Sequence, residues 1–374
     1  MQENVSSVKY KTTRSIRIAC GFIFIVFSAC YLLFQNPLLE MLQKVLSDGQ
    51  TSYSAKWGTW IIILVLCLIQ FGVSYLSRLP ERCHALSYAP SLLILAFITD
   101  IHSDIYSEIS LGRWGWMLPL GIVLYASLAW LCRQAYDFIE GNSKKKWHER
   151  FLPNILILYF LCVGCMSLGN TDEVFHYETA ADAAILKHDY EETLSVGKDS
   201  RSTSRELTVM RTYALSRMDS LPEQLFQYPQ YDASRGLMFN TEDRQTTWLR
   251  KETIYNYLGG VPKEGESIVG YLKRLCYTET GNEPALDYYL CALLLRKELD
   301  EFAKELKSFC YVDSLLPKAY QEALYLYYKK HPVSQLPFDM TNLEVAYEKY
   351  QSSPEECWKN YWYYYDHMTI RYEK

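Results

Sequence analysis

Two short polar clusters hold most of the side chains able to do chemistry. Asp100, His102 and Asp104 follow one apolar run, and Asp172, Glu173 and His176 follow another. Carboxylates beside imidazoles can move a proton or ligate a metal ion. If both runs leave a membrane on the same face, the clusters meet there. His102, Asp104, Asp172 and His176 are then the candidate catalytic residues. The competing reading, and the default for such loops, is solvated charge at an interface. Neither a cofactor nor a bound metal is expected.

Other motifs fail on their letters. Gly259–Gly265 is glycine-rich but lacks the Gly-Lys-Ser/Thr ending that cradles phosphate, so it reads as a turn between helices. No His-Glu-x-x-His occurs. Ser167 has Cys165 where a nucleophile elbow needs glycine. Cys162 and Cys165 have the spacing of a redox pair, but they lie in an apolar run with no cation to hold a thiolate. Cys165 and Gly169, four residues apart, fit close helix packing instead.

The elements that must position these residues fall into two unlike halves. Residues 1–15 form a polar tail, 16–169 carry long apolar runs, and 170–374 are dense in charge and tyrosine. A helix needs about 20 mostly apolar residues to cross a bilayer. Five stretches qualify, at about 18–34, 57–76, 86–101, 114–132 and 151–169. The third is the shortest and contains Pro90. Phe27-Ser-Ala-Cys30 approaches a lipoprotein cleavage site, but Phe27 is bulky there and the apolar run continues to Phe34, so an uncleaved first helix is expected. Residues 37–46 have helical apolar spacing, and either lie flat on the membrane or simply connect the first two spans.

Lys and Arg set the orientation. Lys9, Lys11, Arg14, Arg17, Arg78, Arg82, Arg133, Lys144, Lys145, Lys146 and Arg150 fall on one side, and Lys44, Lys56 and Arg113 on the other. The N-terminus is therefore expected in the cytoplasm of a bacterial inner membrane, with 170–374 in the periplasm. Charge is nearly absent from span interiors, which disfavours a transporter. Gln70 is the one mid-span polar group of note and is expected to bond a neighbouring helix. A net charge of −5, with no basic cluster in the second half, excludes nucleic acid as the main partner.

The second half reads as helix throughout. Ala183-Ala-Ile-Leu-Lys-His-Asp189, Tyr213-Ala-Leu-Ser-Arg-Met-Asp219 and Cys291-Ala-Leu-Leu-Leu-Arg-Lys-Glu-Leu-Asp300 resemble one another. In each, a small residue in one helix precedes an acidic turn and a second helix. Such units resemble tetratricopeptide hairpins, which bury their apolar faces by stacking. Cys276, Cys291, Cys310 and Cys357 permit disulfides in an oxidising compartment, but sequence cannot pair them. Near the end, Trp358, Tyr361, Trp362, Tyr363, Tyr364 and Tyr365 cannot all share one helix face. Trp358, Tyr361, Trp362, Tyr364 and Tyr365 are candidates for partner binding. The alternatives are a helix that caps the stack, or contact with lipid headgroups.

The layout of spans and helical exterior, the segment from Leu221 to Asn240 and the Tyr361-Trp-Tyr-Tyr-Tyr365 ending together resemble an uncharacterised family of multi-span inner-membrane proteins from Bacteroidota. The resemblance implies architecture and location, and brings no activity. The expected fold is all-α: a polytopic transmembrane bundle followed by a helical-repeat, tetratricopeptide-like domain. The expected function is a membrane scaffold or adaptor, in contact with the lipid bilayer, that binds a periplasmic protein rather than an enzyme. The alternative is an enzyme, or a subunit of one, acting on lipid-linked glycan or envelope polymer.

Overall fold

The computed structural model describes residues 14–102, 111–135, 147–239, 246–278, 280–313, 315–333 and 335–368. It is helical, with no strand among the described residues. The chain divides into two compact units, 1–176 and 177–374.

The first unit contains α1 (Arg14–Phe34), α2 (Asn36–Leu46), α3 (Ala55–Ser77), a 3-10 segment Glu81–Tyr88 running into α4 (Ala89–Thr99), α5 (Trp114–Gln134) and α6 (Trp147–Leu168). Five stretches are long and apolar enough to cross a membrane: Arg14–Phe34, Ala55–Ser77, Glu81–Thr99, Trp114–Gln134 and Phe151–Leu168. In hydrocarbon each backbone N–H and C=O must find a partner within its own helix or a neighbour. Outward-facing Phe22, Trp60, Leu68, Leu124 and Phe160 are exposed, which is the surface lipid tails require.

The third span is the shortest by sequence, yet it is the most buried of the five. Around it pack α3, α5 and α6. Pro90 falls in the first turn of α4, where a missing N–H costs no helical bond. The tight 3-10 turns before it leave backbone groups for a neighbour to satisfy, and Asn154 of α6 does so. Its Oδ1 accepts the Ala85 N–H at 2.8 Å, and its Nδ2 donates to the Glu81 carbonyl at 2.8 Å. Gln70 donates to the Ser87 hydroxyl at 3.0 Å, the bond to a neighbouring segment expected of it. Leu38, Leu39 and Met41 of α2 are buried in the core of this unit, so α2 is a packed connector and not a free surface helix.

The second unit begins within α7 (Glu173–Leu186) and continues through α8 (Tyr190–Ser195), α9 (Arg205–Arg217), α10 (Leu221–Gln224), α11 (Lys251–Leu258), α12 (Ile268–Tyr277), α13 (Pro284–Leu295), α14 (Leu299–Phe309), α15 (Lys318–Lys330), α16 (Thr341–Ser352) and α17 (Tyr361–His367). Consecutive helices pack on each other from α12 to α15. Every residue of α13 from Tyr288 to Leu295 is buried, as suits a helix apolar on all sides and too short to span a bilayer.

The three similar sequence segments each contain the same backbone corner. His188, Asp219 and Lys297 each adopt a left-handed conformation, with φ of 58°, 51° and 61°. In each, the following N–H reaches back five residues: Asp189 to the Ala184 carbonyl, Ser220 to Leu215, and Glu298 to Leu293. The left-handed residue's own N–H reaches back three, to Ile185, Ser216 and Leu294. This is the Schellman arrangement, which closes one helix and aims the chain into the next. No glycine stands at any of these three corners, so each carries left-handed strain of about 1–2 kcal/mol.

Asp219→Gly should therefore stabilise the protein. Strain relief exceeds the entropy cost of glycine, about 0.5–1 kcal/mol, leaving a net gain of about 0.5–1 kcal/mol. A chemical denaturation series on the detergent-solubilised chain measures it, and a loss of stability would contradict this account of the corner.

Candidate functional site

The ends of α1, α4 and α6 and the start of α5 converge at one end of the bundle. Asp100, just past α4, has a side chain only 3% exposed. It accepts hydrogen bonds from Arg113 Nε at 2.9 Å and Trp114 Nε1 at 2.6 Å, and Arg113 Nη2 lies 2.7 Å away. Arg113 also donates to the Leu168 carbonyl at 3.2 Å, covering the C-terminal end of α6. Tyr31 and Thr99 share a hydroxyl–hydroxyl bond of 3.0 Å. A side chain at position 169 would collide with both, which is why Gly169 sits there.

Asn170 is the centre of this end. Its N–H donates to the Thr99 carbonyl at 3.1 Å, and its Nδ2 to the Ile101 carbonyl at 2.5 Å. Its Oδ1 accepts from Asp172 N at 2.7 Å, and its carbonyl accepts Gln35 Nε2 at 2.9 Å. The sequence clusters after the third and fifth spans are thus brought together, through Asn170.

Among the described residues, His102, Asp172 and His176 do not form one polar pocket there. Asp172 caps α7, accepting from Val174 N and Phe175 N. His176 is buried against the Phe34 ring, with Nε2 3.4 Å from the Asn170 carbonyl, and burial lowers its pKa. His102 is exposed, 3.6 Å from Asp100. Asp104 lies outside the described residues. Among the described residues no three His, Cys, Asp or Glu side chains gather to hold a metal. Sequence reading missed Arg113, Gln35 and Asn170. The charge of Arg113 so close to Asp100 was the one available signal.

In the second unit the aromatic ending serves packing. Tyr361 and Trp362 are fully buried and Tyr364 nearly so. The Tyr361 and Tyr364 hydroxyls donate to the Leu294 and Leu295 carbonyls at the end of α13. Trp362 Nε1 donates to the Glu322 carbonyl at 2.9 Å. Of the five partner-binding candidates, Trp358 and Tyr365 alone retain intermediate exposure, and Arg201 and Lys359 sit over the Trp358 ring. Cys276, Cys291, Cys310 and Cys357 are free thiols.

Two buried charges, Arg211 and Glu322, gave no sequence signal. Arg211 donates to the Val196 and Gly197 carbonyls and stacks over Tyr228, and burial lowers its pKa to about 10. Glu322 accepts the Tyr361 N–H at 2.8 Å, the first N–H of α17, with Lys318 Nζ at 3.7 Å. Burial, reinforced by nearby Glu223, pushes its carboxyl up to about 7, against the pull of Lys318.

A protein-family model described as a family of unknown function, DUF6057, matches residues 9–262 and 266–368. No curated protein and no solved structure matches the chain.

Two outcomes follow from this geometry. Asn170→Ala removes one buried and one partly buried side-chain bond and strands the Ile101 carbonyl, so it should cost about 2–4 kcal/mol. His102→Ala, at an exposed site, should stay within about 0.5 kcal/mol of wild type. Thermal unfolding followed by tryptophan fluorescence separates them, and equal effects would refute the assignment of Asn170 as the tie. The second outcome concerns pH. The folded value of Glu322 lies above its ordinary value, so the stability its neutral form confers is whole below about 4.5 and is lost as pH rises through about 7. A shift of that size is on the order of 3 kcal/mol. Denaturation midpoints at pH 5 and pH 8 should differ in wild type, and the gap should narrow in Glu322→Gln; an unchanged gap would count against it.

Proposed function

The chain belongs to the DUF6057 family, which supplies no activity to transfer, and we propose that it is a membrane-anchored scaffold whose second unit binds a protein partner. The observation that carries this reading is the repeated corner at His188, Asp219 and Lys297. One backbone device used three times, at the second and third corners between helices that pack on each other, fits a tetratricopeptide-like stack, and such stacks present faces that recruit proteins. The bundle supplies the anchor. The basic residues of the N-terminal tail and of the second and fourth loops between spans support a cytoplasmic N-terminus and a periplasmic second unit in an inner membrane. The alternative, an enzyme acting on lipid-linked glycan, draws less support, because Asp172 and His176 serve a helix cap and an aromatic contact.

Exposed side chains of the second unit are where a partner would touch. Tyr311 and Leu315 are 90% and 87% exposed, and Trp358 keeps partial exposure beside Arg201. A photo-crosslinking amino acid at Tyr311, Leu315 or Trp358 of the full chain in living cells should capture one defined periplasmic protein. The same residue at exposed Lys349, far along α16, is the comparison position. Absence of a discrete adduct at all three positions, or a cytoplasmic protein in the adduct, would overturn the reading.

A further inference from the structure

The bundle is not closed on all sides. Between α5 and α6 runs a half-open crevice of about 300 Å³, with α4 as its floor. Gly121, Tyr125 and Leu128 line it from α5, and Leu161, Gly164 and Leu168 from α6. On each helix these residues recur at three or four positions, so the crevice runs parallel to the helix axes for about 10 Å. α5 leans on α4, where Gly121 admits the Leu93 side chain at close range. Opposite, Gly164 has open space where a β-carbon would stand.

The surroundings decide what fills it. All three helices belong to stretches of membrane-crossing length and composition, so the medium at its mouth is hydrocarbon. The lining is almost wholly apolar, so water finds too few partners to stay. An apolar cavity of roughly 150 Å³ takes up benzene, and on that scale the crevice holds about a dozen carbon atoms. One end is polar. The buried Tyr125 and Ser77 hydroxyls face each other there. The exposed Arg133 guanidinium, which donates to the Leu76 and Ser77 carbonyls, stands beside them. An apolar slot along the bilayer normal that ends in two hydroxyl groups and a cation has the order of a phospholipid: chain, ester, phosphate.

We propose that the crevice between α5 and α6 is a specific seat for one acyl chain of a bilayer phospholipid, with its ester and phosphate at Tyr125, Ser77 and Arg133. The chain fills the gap between two spans that do not close on each other, so the lipid completes the bundle. The proposal does not depend on what the second unit binds.

The test uses the full chain reconstituted in vesicles of phosphatidylethanolamine and phosphatidylglycerol, extracted in detergent and weighed intact by native mass spectrometry. Wild type should retain one phospholipid through repeated detergent exchange. Gly164→Leu, which places a side chain in the crevice, should lower that occupancy at least tenfold. Gly72→Leu, at an α3 glycine that also has open space around it but lies outside the crevice, should leave it unchanged. Leu128→Phe closes the slot from the other wall and serves if Gly164→Leu does not fold, judged by circular dichroism. Equal retention in wild type and a folded filled variant would overturn the proposal. So would a wild type that retains no phospholipid, or that holds a polyprenyl phosphate extracted from cells in its place.

Discussion

Asn170 holds one end of the bundle together because it spends all four of its polar groups on other segments. Its amide and backbone reach carbonyls at and just past the end of α4, Gln35 beyond α1, and Asp172 at the cap of α7. Helix ends leave unsatisfied N–H and C=O groups, and at a membrane boundary these compete for scarce partners. One asparagine that answers several of them fixes where three spans stop relative to one another. Gly169, Tyr31 and Thr99 follow from it. The chain must pass close under the Tyr31–Thr99 bond to place Asn170, and a β-carbon would block that passage. Arg113 then finishes α6 by taking the Leu168 carbonyl, while Asp100 holds its charge.

The second unit solves the same accounting problem with tyrosine. Its buried phenols serve as long apolar bodies with one donor at the tip, and several tips land on carbonyls at helix ends. Tyr361 and Tyr364 take Leu294 and Leu295, Tyr228 takes Leu194, and Tyr271 takes Gly260. Lys297, the left-handed corner residue after α13, lies over the Tyr364 and Tyr365 rings and donates to the Tyr365 and Met368 carbonyls. The strain at that corner is thus tied to the docking of α17. An aromatic cluster that looks like a binding surface in one dimension is, in three, the seal between α13, α15 and the end of the chain.

What was legible in the sequence follows the range of the interaction. The five spans, the helical second half and the kinship of the three corner segments rest on composition and short periodicity, and all are local. Gln70 was readable because a lone amide among apolar residues has to find a neighbour. The meeting of the clusters after the third and fifth spans followed from alternation of direction alone. Their roles did not. That Asp172 caps a helix depends on where α7 begins, and that His176 lies under Phe34 depends on the turn after α1. The centrality of the third span was hidden for a related reason: a helix enclosed by neighbours can be short and carry a 3-10 entry, provided a residue such as Asn154 supplies the missing bonds. Arg211 and Glu322 look like ordinary surface charges in their segments. Only the packing of loops and helices far along the chain encloses them.

The distribution of polar groups bears on where function can reside. A catalytic side chain needs a free lone pair or proton facing a space a substrate can enter. In the first unit Asp100, Asn170 and Asp172 are occupied in joining or capping helix ends, and an open crevice beside α5 is lined by apolar side chains. In the second unit buried Arg211 and Glu322 face carbonyls, an N–H and a tyrosine ring. On the surface of that unit Tyr311 and Leu315 are exposed, and the Trp358 edge lies under Arg201. Surfaces of that kind recognise other molecules by area and shape, with rigid aromatic and aliphatic groups at the centre.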